Sequence, residues 1–186
     1  KTRMRSRSIL EIVRMDSNQM EVIDNALSDQ VFKDVQNYIL GSDIAWYHND
    51  AVAYRSSKGL NKEQKIYNHF QTHMVYSNHQ IYSSFAFEKL KPLIDLLDIK
   101  ALIRIKINSY PRTPKVIHHQ DHVDYDFKHK GALFFVNSND GFTVLKNDTK
   151  ISSVENKLLL FDSSEKHHST TTSDTNRRIT ININYF

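Results

Sequence analysis

Ala101-Leu102-Ile103-Arg104-Ile105-Lys106-Ile107-Asn108 decides the fold. Ala101, Ile103, Ile105 and Ile107 fall on one side of a period of two, and Arg104, Lys106 and Asn108 fall with Leu102 on the other. That is the pattern of a half-buried strand. Before this stretch the period is helical. Val31, Phe32, Val35, Tyr38 and Ile39 recur at helix spacing, Leu27 and Phe32 bracket Ser28 as a hydrophobic staple around an N-cap, and Gly41 supplies a stop. A second helix is expected over 84–97, kinked or bounded by Pro92. Glu21-Val22-Ile23-Asp24 reads as a short extended entry and Ala45-Trp46-Tyr47 as a short strand. The polar stretch 49–65 reads as a loop.

After Asn108 further strands are expected over 116–124, 132–137, 142–146, 157–161, 167–172 and 178–185. Asn139-Asp140-Gly141 is a hairpin signal between two of them. The fold class is α+β and mainly β: many short strands closing into a sandwich or barrel, buttressed by the N-terminal helices.

The bulk composition bounds the function. With 186 residues, one domain over 15–186 is expected, large enough to bury a proper core. The chain has no cysteine, so disulfides and thiolate metal sites are excluded. It contains no run of about 18 apolar residues, the length of a membrane-spanning helix. Five of the 25 Lys and Arg and one of the 21 Asp and Glu lie in residues 1–14, so this arm carries the whole formal charge of +4. A basic, flexible arm on a neutral domain is the expectation, and it does not amount to the basic face that nucleic acid requires. A soluble cytoplasmic protein with no membrane partner is expected, because the arm lacks the apolar stretch of a secretory signal.

The strand-rich half carries the chemistry. In a strand, residues i and i+2 share a face, so His122 and Asp124 of His122-Val123-Asp124 can converge on one ion. Either His167 or His168 can supply a third ligand, and successive strand residues face opposite ways, so only one of them does. Two histidines and one carboxylate form the facial triad of non-haem Fe(II) sites, with positions left open; the same donors also suit zinc. His119-Gln120-Asp121 is a second such spacing in the opposite register, which leaves His118 and His119 beside the pocket or exposed. In the last strand Arg178, Thr180, Asn182 and Asn184 share one face. Arg178 and Thr180 offer a planar fork and a hydroxyl, suited to a carboxylate, while Arg177 points the opposite way and reads as exposed. Asn108 and Tyr110 close the first core strand just before the metal pair and can complete such a pocket.

The order Asn108-x-Tyr110, His122-x-Asp124, a distal histidine and Arg178-x-Thr180 in the final strand resembles the Fe(II)/2-oxoglutarate-dependent dioxygenases. It is most similar to the small prolyl-4-hydroxylase-like members of phage and bacteria, over residues 21–186. The resemblance implies a double-stranded β-helix, or jelly roll, with helices on its larger sheet. It implies that His122, Asp124 and His167 bind Fe(II), with His167 favoured over His168 by the alignment of Phe161-Asp162-Ser163. It implies that Arg178, aided by Thr180, binds the far carboxylate of 2-oxoglutarate, near Tyr110 and Asn108. The implied reaction hydroxylates a C–H bond of a small-molecule or peptidyl substrate with O2, releasing succinate and CO2.

Three other readings compete. The AlkB-like nucleic-acid demethylases share the motif order but carry a second arginine six residues after the first, where this chain has Asn184. A non-enzymatic jelly-roll binding module would need no metal. A zinc hydrolase would leave Arg178 and Thr180 without a task. The segments 49–65 and 73–84 are candidates for substrate contact, and the sequence does not identify the substrate or the oligomeric state.

Overall fold

The alternating stretch forms β5 (Leu102–Pro111), and the last strand, β11 (Arg177–Tyr185), lies antiparallel beside it. The computed structural model describes residues 20–53 and 59–186; the basic arm over 1–14 lies outside them. Around the β5–β11 pair, β1 (Glu21–Ile23), β9 (Lys157–Asp162), β6 (Lys130–Phe135), β3 (Phe70–Ser77) and β2 (Tyr47–Asn49) complete a large antiparallel sheet in the order β1-β9-β6-β11-β5-β3-β2. A short β4 (Gln80–Ile81) hangs on β3. A smaller sheet has the order β10-β7-β8, from β10 (His168–Ser169), β7 (Phe142–Leu145) and β8 (Thr149–Ser152). The helices are α1 (Asp29–Leu40), α2 (Lys62–Tyr67) and α3 (Ser84–Ile94).

The two faces of the large sheet differ in kind. One carries Ile105, Ile107, Ile179, Ile181 and Ile183, all buried against Phe32, Val35 and Ile39 of α1 and Ala86, Leu90 and Leu93 of α3. Each of the Ile, Leu, Val and Phe side chains contributes about 1.5–3 kcal/mol by leaving water. The opposite face looks toward the small sheet. At its β6–β9 end it is apolar, with Leu133, Phe135, Leu159 and Phe161 packed on Ile151 of β8. Along β5 and β11 it is polar, yet Asn108, Arg178, Thr180, Asn182 and Asn184 are all buried. Polar groups there are enclosed between two sheets, not solvated, and this enclosed strip holds the candidate site residues Asn108, Arg178 and Thr180.

Several expectations need correction. Asn139-Asp140-Gly141 does not close a hairpin: β6 lies in the large sheet and β7 in the small one. A two-residue hairpin of the favoured type needs positive φ at both central residues, and neither Asp140 nor Gly141 has it. Asn139 instead accepts a hydrogen bond from the Gly141 amide at 3.0 Å, steering the chain from one sheet to the other. The positive-φ pair is Asn78 and His79, at 50° and 60°, and it closes the β3–β4 hairpin.

Residues 116–124 do not form a regular strand. They run as a strap bridged to the segment around β10 at His118–Thr170 and His122–His167. The stretch 49–65 contains the start of α2, whose Asn61 and Gln64 make a reciprocal capping box. Arg177 is not simply exposed: it donates to the Leu40 carbonyl at 3.1 Å and lies over the Trp46 ring. α3 ends at Ile94, two residues past Pro92, whose missing N–H and ring forfeit a helical hydrogen bond near the end of the helix.

Candidate active site

The strap brings His122 and Asp124 beside His167, the residue just before β10. His122 and His167 exchange backbone hydrogen bonds, His122 N–H to His167 O at 2.9 Å and the reverse at 3.0 Å, which aligns their side chains. The rings lie 4.6 Å apart, and the donor atoms of His122, Asp124 and His167 all fall within 4.8 Å of one another. In each histidine Nδ1 faces a carbonyl two residues earlier, Gln120 O at 3.3 Å for His122 and Glu165 O at 2.9 Å for His167. An Nδ1–H donated there leaves the Nε2 lone pair for a metal, the arrangement that orients ligating histidines. Burial, reinforced by the neighbouring His167, lowers the His122 pKa to about 4, so its ring is neutral at physiological pH.

Asp124 is held from four sides. Arg104 donates to Oδ1 at 2.8 Å; Ser163 at 2.6 Å, Asn184 at 2.8 Å and Asn182 at 3.2 Å donate to Oδ2. Burial alone would raise this carboxyl, but Arg104, His167 and these hydrogen bonds outweigh it and keep Asp124 well below the usual carboxylate range. Gly131 makes room for the arrangement, since a Cβ there would meet the Ser163 Cβ at 2.6 Å. The centre therefore holds an ionised carboxylate beside a neutral imidazole, the protonation state that metal binding needs.

Arg178 stands beyond the cluster at 0% exposure. Its Nε donates to Ser153 Oγ at 2.7 Å and one terminal nitrogen to Thr143 Oγ1 at 2.8 Å, while the other terminal nitrogen has no partner. Burial lowers its pKa to about 10, so it remains a cation. No carboxylate within the described residues pairs with it. A fully buried charge without a counter-charge is costly, and Arg178 faces a cavity also lined by Asn108, Tyr110, His122, His167 and Thr180. Thr180 Oγ1, Asn108 Oδ1, Asn182 Oδ1 and His119 Nε2 are likewise buried without partners. The cavity among them is small, about 30 Å³.

All seven residues singled out from the sequence, His122, Asp124, His167, Arg178, Thr180, Tyr110 and Asn108, therefore come together around one cluster and its cavity. His168 lies apart from them, bonded to Asp121 at 2.6 Å and His118 at 2.9 Å. His119 is buried, its Nδ1 2.9 Å from Ser169 Oγ and its ring 5.3 Å from that of Tyr110. Sequence reasoning missed Arg104, although it shares the face of Asn108 and Tyr110 by simple alternation. It also missed Ser163, Thr143 and Ser153, which come from turns or the small sheet and have no spacing signal.

No protein-family model and no curated protein matches this chain. Solved structures do. A prolyl hydroxylase from Trichoplax adhaerens, in complex with a hypoxia-inducible-factor peptide, is 17% identical, with a TM-score of 0.63 over 91% of this chain and 84% of that one. An oxidoreductase of the 2OG-Fe(II) oxygenase family from Burkholderia pseudomallei is 10% identical, with a TM-score of 0.59 over 89% and 84%. A Pseudomonas putida prolyl-4-hydroxylase is 12% identical, with a TM-score of 0.55 over 90% and 92%. At these identities the likeness concerns architecture: the chain has the jelly-roll fold of 2OG-Fe(II) oxygenases.

Proposed function

We propose that this protein is an Fe(II)- and 2-oxoglutarate-dependent dioxygenase that hydroxylates a C–H bond, as prolyl-4-hydroxylase-like enzymes do, with release of succinate and CO2. The observation that carries it is a fully buried arginine, with no acidic partner within the described residues, facing the cavity beside two histidines and an aspartate. Two unpartnered buried donors, the Arg178 terminal nitrogen and the Thr180 hydroxyl, fit a carboxylate that the protein itself does not supply.

In this reading His122, Asp124 and His167 hold the iron. Arg178 and Thr180 bind the far carboxylate of 2-oxoglutarate, with Tyr110 and Asn108 beside them. Bound iron and 2-oxoglutarate supply dioxygen activation, which the amino acids alone cannot perform. The carbonyls of Gln120 and Glu165 keep the imidazole Nε2 atoms available. Arg104, Ser163, Asn182 and Asn184 keep Asp124 ionised and fixed in orientation. Leu133 and Phe161 give the cavity an apolar wall. A nucleic-acid demethylase of the AlkB type gains nothing here, because Asn184 is committed to Asp124.

The test is Fe(II)-dependent formation of succinate from 2-oxoglutarate. His122→Ala is expected to abolish it. Arg178→Ala is expected to raise the 2-oxoglutarate requirement by about tenfold to a hundredfold, the loss of a charge-assisted hydrogen bond of about 1.5–3 kcal/mol. Undiminished turnover in either variant would overturn the assignment.

A further inference from the structure

Lys106 is the one cation on the inner face of β5 that the site has not yet used. It shares that face with Arg104, Asn108 and Tyr110 and lies directly opposite Asn182 of β11 and Met74 of β3. It is half-buried. Among the described residues no carboxylate lies within ion-pair distance of its Nζ. The nearest acid along this face, Asp124, already accepts from Arg104, Ser163, Asn182 and Asn184. Its Nζ lies over the face of Phe70, 5.4 Å from the ring centroid, a contact that offsets only a small part of the lost hydration.

The surroundings arrange this charge against a second one. Phe70 stacks on Tyr110 with ring centroids 5.6 Å apart, and the Arg178 guanidinium lies 5.3 Å from the Tyr110 centroid. An aromatic pair thus separates two cations, Arg178 fully buried at one end and Lys106 half-buried at the other. Arg178 pairs in register with Tyr110, and Lys106 is four residues along the strand, about 13 Å at strand rise. The two cations contact different members of the stacked aromatic pair. Asn182, opposite Lys106, donates to Asp124 at 3.2 Å, so an anion at Lys106 sits one side chain away from the metal-binding carboxylate.

We infer that the primary substrate is a small carboxylic acid, in the size range of a free amino acid, whose carboxylate is held by Lys106 while its reacting C–H bond faces the His122–Asp124–His167 centre. A single ammonium beside the negative Asp124 matches one negative charge better than a phosphate dianion. The short span from Lys106 through Asn182 to Asp124 places acid group and reacting carbon on one small molecule. This inference rests on the dioxygenase reading. The same carboxylate chemistry could come from the 2-oxo acid end of 2-oxoglutarate, and the test separates the two sources.

The protein is loaded anaerobically with Fe(II) and 2-oxoglutarate, and the weak visible charge-transfer band of that chelate is followed. Free L-amino acids are then titrated, each beside its α-amide. At least one acid is expected to perturb the band, with its amide at least tenfold weaker. Lys106→Met should weaken that acid at least tenfold and leave the amide unchanged, with 2-oxoglutarate affinity held within twofold. Lys106→Arg should retain the preference for acid over amide.

The inference is overturned if no acid perturbs the band, if acid and amide bind alike, or if Lys106→Met weakens 2-oxoglutarate as Arg178→Ala does. Absence of the band in the wild type would remove the dioxygenase reading, and this inference with it. A band without acid selectivity would remove this inference alone.

Discussion

At the residue scale, the site is a set of groups held in the protonation states that a metal and an anion require, and burial sets most of them. His119 and His122 are buried, and their pKa values fall to about 3 and about 4, against about 6.5 in an unfolded chain. Because the folded values are depressed, the unfolded chain binds more protons below pH 6.5. Stability from these rings is fully present above that pH and is lost as pH falls toward 4. Each histidine can contribute a slope of about 1.4 kcal/mol per pH unit in that window. Urea unfolding of the metal-free protein between pH 7 and 4.5 should show stability falling steeply, and His119→Gln should reduce the slope by about one proton. A flat profile would contradict the buried, neutral state of these rings.

At the scale of elements, the site depends on a close approach between the small sheet and β11. A Cβ on Gly141 would lie 2.6 Å from both the Arg178 Cδ and the Thr171 carbonyl oxygen. The backbone contact cannot yield cheaply, so Gly141→Ala displaces either the turn or the arginine. The expected result is at least tenfold weaker 2-oxoglutarate binding with Fe(II) affinity nearly unchanged, measured by anaerobic titration. Equal losses of both would mean that Gly141 supports the sheet and not the arginine.

Legibility in the sequence followed local periodicity. The polar face of β11 and the Asn108–Tyr110 end of β5 could be read because alternation assigns every side chain to a face. α1 could be read from its staple, its spacing and its glycine stop. β3 was missed because Phe70-Gln71-Thr72-His73-Met74-Val75 has too little contrast between faces; it is a strand through its pairing with β5 and β2, a tertiary effect. The strap over 116–124 was expected as a strand, which would put His122 and Asp124 on a common face. They reach one through the bridge to His167 and the four donors on Asp124, which no spacing rule encodes.

For the whole molecule, the division of labour lies between the faces of one sheet. The helix-covered face supplies the apolar core that holds β5 and β11 rigid. The enclosed face can then carry a buried cation, four unpartnered polar atoms and an ionised carboxylate, whose cost a rigid support offsets. Among the described residues no helix is long and apolar enough to cross a membrane.

The most direct measurement is an anaerobic visible spectrum of the metal-free protein, titrated first with Fe(II) and then with 2-oxoglutarate. A weak charge-transfer band should grow only when both are present, saturate at one equivalent of iron, and be absent in His122→Ala. If the wild type binds neither iron nor 2-oxoglutarate and shows no band, the cluster of His122, Asp124 and His167 is not an oxygenase centre.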